Sequence, residues 1–349
     1  MSAPAFVVGT GRCGSTLLSN MLRAHGQILS VSELFTLATD LGGRVAETFP
    51  SEPVDGAAFW RIVAGVHPKS AAMLRHGVAM DEVLYRPTAA TRFTAEDGVP
   101  ALLQTTLPHL SPEPDVLFAE VERFVVDRPT APVGDHYRAL FGWLARRFDK
   151  RLWIERSGGS LRIVTRLAAA FPDARFVHLV RDGRDCALSM SRHLGFRMAL
   201  VAAQLTEILG VDPYESADRS LDGDLPDELV PFLPERFDPD AFRRYETPPA
   251  LCGHYWSGEC MAGVRALAAV DPARVLVLRY EDLARDPEGP LNRLTAFLGA
   301  DFADGAWARE MSGLVRPPAS TWAALPSREL RWLDAACRPG FDALGGLYP

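Results

Sequence analysis

The chain has 349 residues, 48% of them hydrophobic and 23% charged, with a formal net charge of −7. That length supports one large domain or two smaller ones with a real core, and the composition excludes a disordered or fibrous chain. The acidic balance, with no basic tail and no run of like charge, argues against nucleic acid as a partner.

In chain order, Ala5 to Val8 reads as a short buried strand ended by glycines, and Ser15 to His25 as a helix with Leu18, Met21 and Leu22 on one face and Gly26 as its stop. A long excursion follows, from about residue 35 to 150, with helices expected at Glu113–Val126 and Asp135–Phe148. In the second, Tyr137, Leu140, Phe141, Leu144 and Phe148 form a core-facing stripe. Strand-like runs return at Arg151–Ile154, Arg175–Val180 and Arg274–Leu278, and helical patterns at Leu161–Phe171, Arg184–His193 and Pro290–Leu298. A second excursion, residues 195–249, is rich in Pro, Asp and Glu and reads as loops with short helices. Alternating strands and helices predict an α/β fold, a three-layer α/β/α arrangement around a central parallel sheet. The whole chain is expected to form a single domain, 1–349, with 35–150 and 195–249 as insertions that shape an acceptor pocket.

Cys13, Cys186, Cys252, Cys260 and Cys337 are scattered, with neither a disulfide framework nor a zinc spacing. No apolar run spans a bilayer and no signal peptide is visible, so a cytoplasmic protein with reduced thiols and no stable membrane insertion is expected. Homo-oligomerisation is left open. The basic residues are almost all arginine; Lys69 and Lys150 are the lysines.

The stretch FVVGTGRCGSTLLSNML, residues 6–22, joins a strand to a helix through a glycine-rich turn. Such a turn aims backbone N–H groups and the positive end of a helix dipole at one point, where an anion fits. A tight turn with glycines used only for packing is the plainer alternative, but Arg12, Ser15 and Thr16 add a cation and two hydroxyls. The lysine that follows the second glycine in an ATPase loop is replaced by Ser15. Later strands end in Arg181 before Asp182, and in Arg279 and Tyr280, where a metal-holding aspartate would stand. The pattern predicts a phosphate held by arginines without metal.

A second motif, FVHLVRDGRDCALSMSRH (176–193), places Arg181 at a strand end and Ser189 on the next helix, a pair suited to clamping a terminal phosphate. Together the two motifs resemble those of sulfotransferases that use 3′-phosphoadenosine-5′-phosphosulfate (PAPS), in the bacterial branch that shares features with carbohydrate and tyrosyl-protein sulfotransferases. The central stretch from Trp153 to Asp185, RYEDLARDP (279–287), RPPASTW (316–322) and the ending FDALGGLYP are similar to family segments in the same order. The resemblance implies a P-loop NTPase-like topology with helical insertions. It implies that Arg12, Cys13, Gly14, Ser15 and Thr16 hold the 5′-phosphosulfate and that Arg181 and Ser189 hold the 3′-phosphate. Tyr280 would lie near the adenine or ribose, with Arg316, Ser320 and Thr321 closing the site.

Sulfuryl transfer is an in-line displacement, so the protein has to position groups, neutralise charge and remove a proton. The resemblance assigns Arg12 to the leaving group and Arg156 to charge on the sulfuryl group; a surface or ion-paired arginine is the alternative for Arg156. It places Glu33, in ILSVSELF after a short strand, as the base, where burial would raise its pKa toward neutrality. A glutamate in the N-cap region of a following helix is the alternative reading of Glu33. His25, His109, His136, His178, His193 and His254 are fallback bases, with His178 inside a strand the weakest. The expected reaction is sulfation of a hydroxyl, or less readily an amine, of a small-molecule, carbohydrate or lipid acceptor. Phe59, Trp60, Phe93, Phe118 and Trp143 either line an apolar acceptor pocket or form the core of the first insertion. A P-loop kinase or NTPase, which would need Mg-ATP, and a non-catalytic nucleotide-binding protein are the competing readings.

Overall fold

In the computed structural model, the structure describes residues 3–36, 44–216, 225–313, 315 and 321–348. Five strands, β1 (Ala5–Val8), β2 (Ile28–Ser32), β3 (Leu152–Arg156), β4 (Arg175–Val180) and β5 (Val275–Arg279), pair in parallel in the order β2-β3-β1-β4-β5. The register pairs Ala5 with Ile154 and with Arg175, so β1 is hydrogen-bonded on both edges. A central parallel strand is covered on both faces, which is why AFVV is apolar throughout and fully buried.

Side chains alternate across the sheet and divide its two cores. Phe6, Val8, Leu29, Val31, Trp153 and Phe176 face one side, where Phe6 meets Phe171, Trp153 and Phe176 at ring-centroid distances of 5.0, 5.6 and 5.8 Å. Ala5, Val7, Ile28, Ile154, Val177 and Leu278 face the other. Helices cover both: α1 (Ser15–Arg23) follows β1, α2 (Pro114–Val126) and α3 (Val133–Arg147) belong to the first insertion, and α4 (Val164–Ala170) precedes β4. After β4 come α5 (Gly183–Ser191), α6 (Leu194–Leu209) and α7 (Pro249–Ala268), then α8 (Glu288–Leu298) and α9 (Ser327–Ala343) after β5. The predicted α/β class and parallel sheet are what the chain forms.

One expectation needs correction, and one pair of alternatives is decided. The second insertion does not open as loops with short helices: its first quarter is α6, a 16-residue helix ended by Gly210 in the left-handed region, φ 74. Its sequence, LGFRMALVAAQLTEIL, lacks any turn signal; the Pro- and Asp-rich character belongs to the residues after it. Of the two alternatives for the aromatics of the first insertion, the core is the one the chain forms. Phe59 and Phe118 are buried in the cluster that backs the sheet, with Trp60, Phe93 and Trp143 packed against it.

Because the chain leaves β1 toward β3 and β2 on one side and toward β4 and β5 on the other, the carboxyl ends of β1 and β4 border a crevice, where ligands bind in open parallel sheets.

Candidate active site

The turn after β1 is built from left-handed residues: Gly11, Arg12 and Gly14 have φ of 81, 54 and 90°. Gly14 also permits a close approach, because a methyl group there would lie 2.1 Å from the Tyr280 ring. A left-handed backbone at Arg12 costs about 1–3 kcal/mol and persists where its surroundings dictate it. Helix α1 then starts at Ser15 with no side-chain cap and no acidic residue in its first turn. Helix starts without a side-chain cap present N–H groups to which an external anion can bind.

Above the turn lies a cavity of about 360 Å³ lined by Gly11, Arg12, Gly14, Ser15, Thr16, Arg181 and Ser189 on the sheet side. The first insertion contributes Thr36, His67, Met80, Glu82, Val83 and Gln104 to its wall, and Gly195 and Phe196 come from α6. The two expected anion grips adjoin one another. Arg12 Nε donates to Ser189 Oγ at 3.0 Å, and Arg181 Nη1 donates to the Arg12 carbonyl at 3.1 Å. The Arg181 guanidinium stacks 4.6 Å from the Tyr280 ring centroid, and its buried Nε has no partner among the described residues.

Glu33 follows β2 directly. Its N–H extends the ladder by bonding the Arg156 carbonyl at 2.7 Å, and its φ of 59° then turns the chain out of the sheet. Its carboxylate reaches the cavity and collects three donors: the Arg156 guanidinium, the Thr36 hydroxyl at 2.6 Å and the Gly158 N–H at 2.8 Å. Arg156 is only 2% exposed, bonds Ser32 Oγ at 2.6 Å as well as Glu33, and does not line the cavity. Its guanidinium therefore holds Glu33 and Ser32 and stays off the cavity wall. Its ion-pair partner is Glu33, across two strands, and not the adjacent Glu155.

Glu155 is fully buried behind this pair and takes hydrogen bonds from Ser157 Oγ and Phe35 N. Burial, with the negative charge of Glu33 adding to it, pushes its carboxyl up to about 8. The folded chain thus keeps a proton that the unfolded chain releases from its ordinary 4.5 upward. Stability falls as pH rises across that window, by up to about 1.4 kcal/mol per pH unit. Glu155→Gln, which can accept the same two hydrogen bonds, is expected to unfold at a higher temperature than the wild type at pH 8, with the gap closing toward pH 4.5. Parallel melting-temperature profiles for the two proteins would contradict this account.

Glu82 was not singled out by any pattern in the sequence, yet with Glu33 it is one of two carboxylates that line the cavity. It pairs with Arg12, and His193 Nε2 lies 2.8 Å from its second oxygen. Partial burial opposes its charge, but His193 and Arg12 prevail and hold the carboxyl down at about 2. His67, Thr36 and Phe196 also reach the cavity without having been foreseen.

The other expected residues fall as follows. Cys13 is buried, its sulfur against Gly9, and burial pushes its thiol up, leaving only its backbone near the turn. Tyr280 packs beneath Gly14 rather than on the cavity wall. Thr321 N–H donates to Asp185 Oδ1 at 3.4 Å, and Thr321 does not line the cavity; Arg316 and Ser320 lie outside the described residues. Of the fallback histidines, His193 lines the cavity. His25 bonds the Phe302 carbonyl, His136 the Val54 carbonyl, and burial depresses His109 and His178 to about 4 each. No cluster of metal-ligating side chains and no helix long and apolar enough to cross a membrane occurs among the described residues.

Fold and cavity define an α/β protein with a glycine-rich turn opening a helix at the carboxyl edge of a parallel sheet. The model of the Sulfotransferase family matches residues 4–237 and 228–304, and the chain belongs to that family. Among solved structures it is similar to the sulfotransferase domain from the curacin biosynthetic pathway, at 15% identity over 96% of this chain and 97% of that one, TM-score 0.46. A sulfotransferase from Alicyclobacillus acidocaldarius is similar at 16% identity over 99% and 96%, TM-score 0.44. The sulfotransferase domain of the Synechococcus PCC 7002 olefin synthase is similar at 18% over 96% and 95%, TM-score 0.42. No curated protein matches the sequence.

Proposed function

We propose that the chain transfers the sulfuryl group of PAPS to a hydroxyl of a small-molecule, carbohydrate or lipid acceptor. The observation that carries this reading is the convergence on one cavity of an uncapped helix start, Arg12, Arg181, Ser189 and the carboxylate of Glu33. The donor set suits a bisphosphorylated nucleotide: hydroxyls and N–H groups at Ser15 and Thr16, guanidinium groups, and a buried Arg181 Nε lacking a partner among the described residues. Cys13 and Gly14 would offer backbone N–H groups to the 5′-phosphosulfate. Tyr280 would brace Arg181 from behind, and Arg316, Ser320 and Thr321 would complete the nucleotide end.

In the reaction a bond forms between the acceptor oxygen and sulfur while the bond from sulfur to the bridging oxygen of the 5′-phosphate breaks. Glu33 takes the acceptor proton, and Arg12 stabilises the charge gathering on the departing phosphate. The products are a sulfate ester and 3′,5′-adenosine bisphosphate. Arg156 acts through Glu33 by fixing its carboxylate. The acceptor lies against the walls supplied by the two insertions, where Met80, Val83 and Phe196 offer apolar contact.

The test compares nucleotides by thermal shift. 3′,5′-Adenosine bisphosphate without metal is expected to raise the melting temperature, and Mg-ATP at equal concentration to leave it near the ligand-free value. Stabilisation by Mg-ATP alone would point instead to a kinase or NTPase. Nucleotide binding with no [³⁵S]sulfate transfer from PAPS to any of a broad acceptor panel would point to a non-catalytic binding protein.

A further inference from the structure

Arg12 carries two partners in this structure, and they differ in kind. Its Nε is bonded to the neutral Ser189 hydroxyl, whereas its Nη1 is paired with the carboxylate of Glu82. A guanidinium so neutralised offers little charge to a second anion, and a carboxylate beside a phosphosulfate would repel it. The donor and Glu82 therefore compete for Arg12.

The surroundings show which half of the contact can move. The backbone at Glu82 is pinned: Thr105 Oγ1 donates to the Glu82 carbonyl at 2.7 Å, and Leu84 and Tyr85 N–H both donate to the Gln104 carbonyl, at 2.7 and 3.2 Å. Both anchors lie in a π-helical turn, Leu102–Thr106, a distortion frequent at functional sites. The second oxygen of Glu82 is held separately by His193. Because Phe196 N–H donates to His193 Nδ1, at 3.3 Å, the ring proton sits on Nε2 and is donated to Glu82 at 2.8 Å. Glu82 thus keeps an anchor of its own when Arg12 leaves. Arg12, on a left-handed turn and with a side chain 30% exposed, is free to re-aim its guanidinium into the cavity.

We infer that Glu82 is a placeholder for the donor's anionic group: it pairs Arg12 in the ligand-free enzyme and yields it when phosphosulfate enters, staying behind on His193. Glu82 in this way sets donor affinity from the acceptor side of the cavity. The first insertion contributes it, so the insertion does more than enclose the acceptor. This rests on the proposed PAPS reading for the identity of the anion, but the competition itself concerns any phosphate or sulfate at the turn.

The experiment measures 3′,5′-adenosine bisphosphate binding by titration calorimetry for the wild type, Glu82→Gln and Glu82→Ala. Removing the competing charge is expected to tighten binding about fivefold in each variant, the equivalent of a partly exposed ion pair of about 1 kcal/mol. A Glu82 that merely braces the fold predicts the opposite, weaker binding along with a lower melting temperature. Affinity unchanged or weakened in Glu82→Gln overturns the inference, whatever Glu82→Ala does. If the nucleotide binds none of the three proteins, the PAPS reading falls, and inorganic sulfate then decides the inference alone. Sulfate should protect Glu82→Gln against thermal unfolding at lower concentration than it protects the wild type, and equal protection overturns the placeholder role.

Discussion

Exchanging Glu33 for glutamine is expected to lower kcat by about 10²–10⁴-fold, the range that a positioned general base supplies. Glutamine keeps the size of the side chain and can still accept from Thr36 and Gly158, but it has no lone pair of comparable basicity for the acceptor proton. It also turns an amide NH₂ toward one of the two donor sets, and Arg156 at 2% exposure has no water to turn to. Breaking a buried pair by removing one charge costs about 3–5 kcal/mol of stability. Loss of rate therefore has to be separated from loss of fold. Binding of 3′,5′-adenosine bisphosphate provides the separation, since Glu33 contacts the loop's neighbour Gly158 and not the anion grips. The expected outcome is nucleotide affinity within about threefold of wild type alongside the collapse in kcat. A Glu33→Gln enzyme that turns over within about tenfold of the wild type removes Glu33 from proton transfer.

Much of this arrangement could be read from the chain before its fold was known, and the reasons are local. β1 and β4 have the bounds expected of them because short apolar runs closed by glycine, or by an Arg-Asp pair, have few other interpretations. The turn from Gly9 to Thr16 was legible for the same reason: glycine spacing and hydroxyls at a strand-helix junction encode a local geometry. Helix α7 was not foreseen. Its glycines at 253, 258 and 263 lower helix propensity, and the value of the first and last appears only in three dimensions. A methyl group at Gly263 would lie 2.1 Å from Leu161, and one at Gly253 would lie 3.0 Å from Ala336 of α9.

The partners of the site residues were hidden in a similar way. Nothing in the MDEVLYRP neighbourhood distinguishes Glu82 from any acidic turn residue, and its meaning depends on a π-helical turn 20 residues later and on His193 beyond β4. Arg156 was legible as a charged residue at a strand end but not as a buried one. Its position opposite Ser32 in the β2–β3 register is what directs it to Glu33. Sequence therefore revealed the groups bound by local backbone geometry and missed the pairings set by the packing of distant segments.

Replacing Arg12 with alanine is expected to cost about 10²–10³-fold in kcat, or about 2.7–4 kcal/mol, the usual effect of deleting one preorganised donor to a developing anion. The effect on nucleotide affinity should be far smaller. Arg181, Ser189 and the helix start remain, and the lost cation was already partly neutralised by Glu82. This asymmetry is the signature to look for: a charge that acts mainly on the departing phosphate alters kcat, while one that only recruits the nucleotide alters affinity. Arg12→Lys refines the test. A single ammonium can supply charge, but it cannot keep Ser189 through Nε while re-aiming a separate Nη1 from Glu82 to the donor, so only part of the rate should return. Stability should change little in either variant, because the Arg12 side chain is partly exposed and Glu82 keeps His193 as a partner, although the left-handed φ of 54° remains to be borne. If Arg12→Ala weakens nucleotide binding as much as it slows turnover, the guanidinium serves recruitment alone, and charge stabilisation in the displacement has to be sought at Arg181 instead.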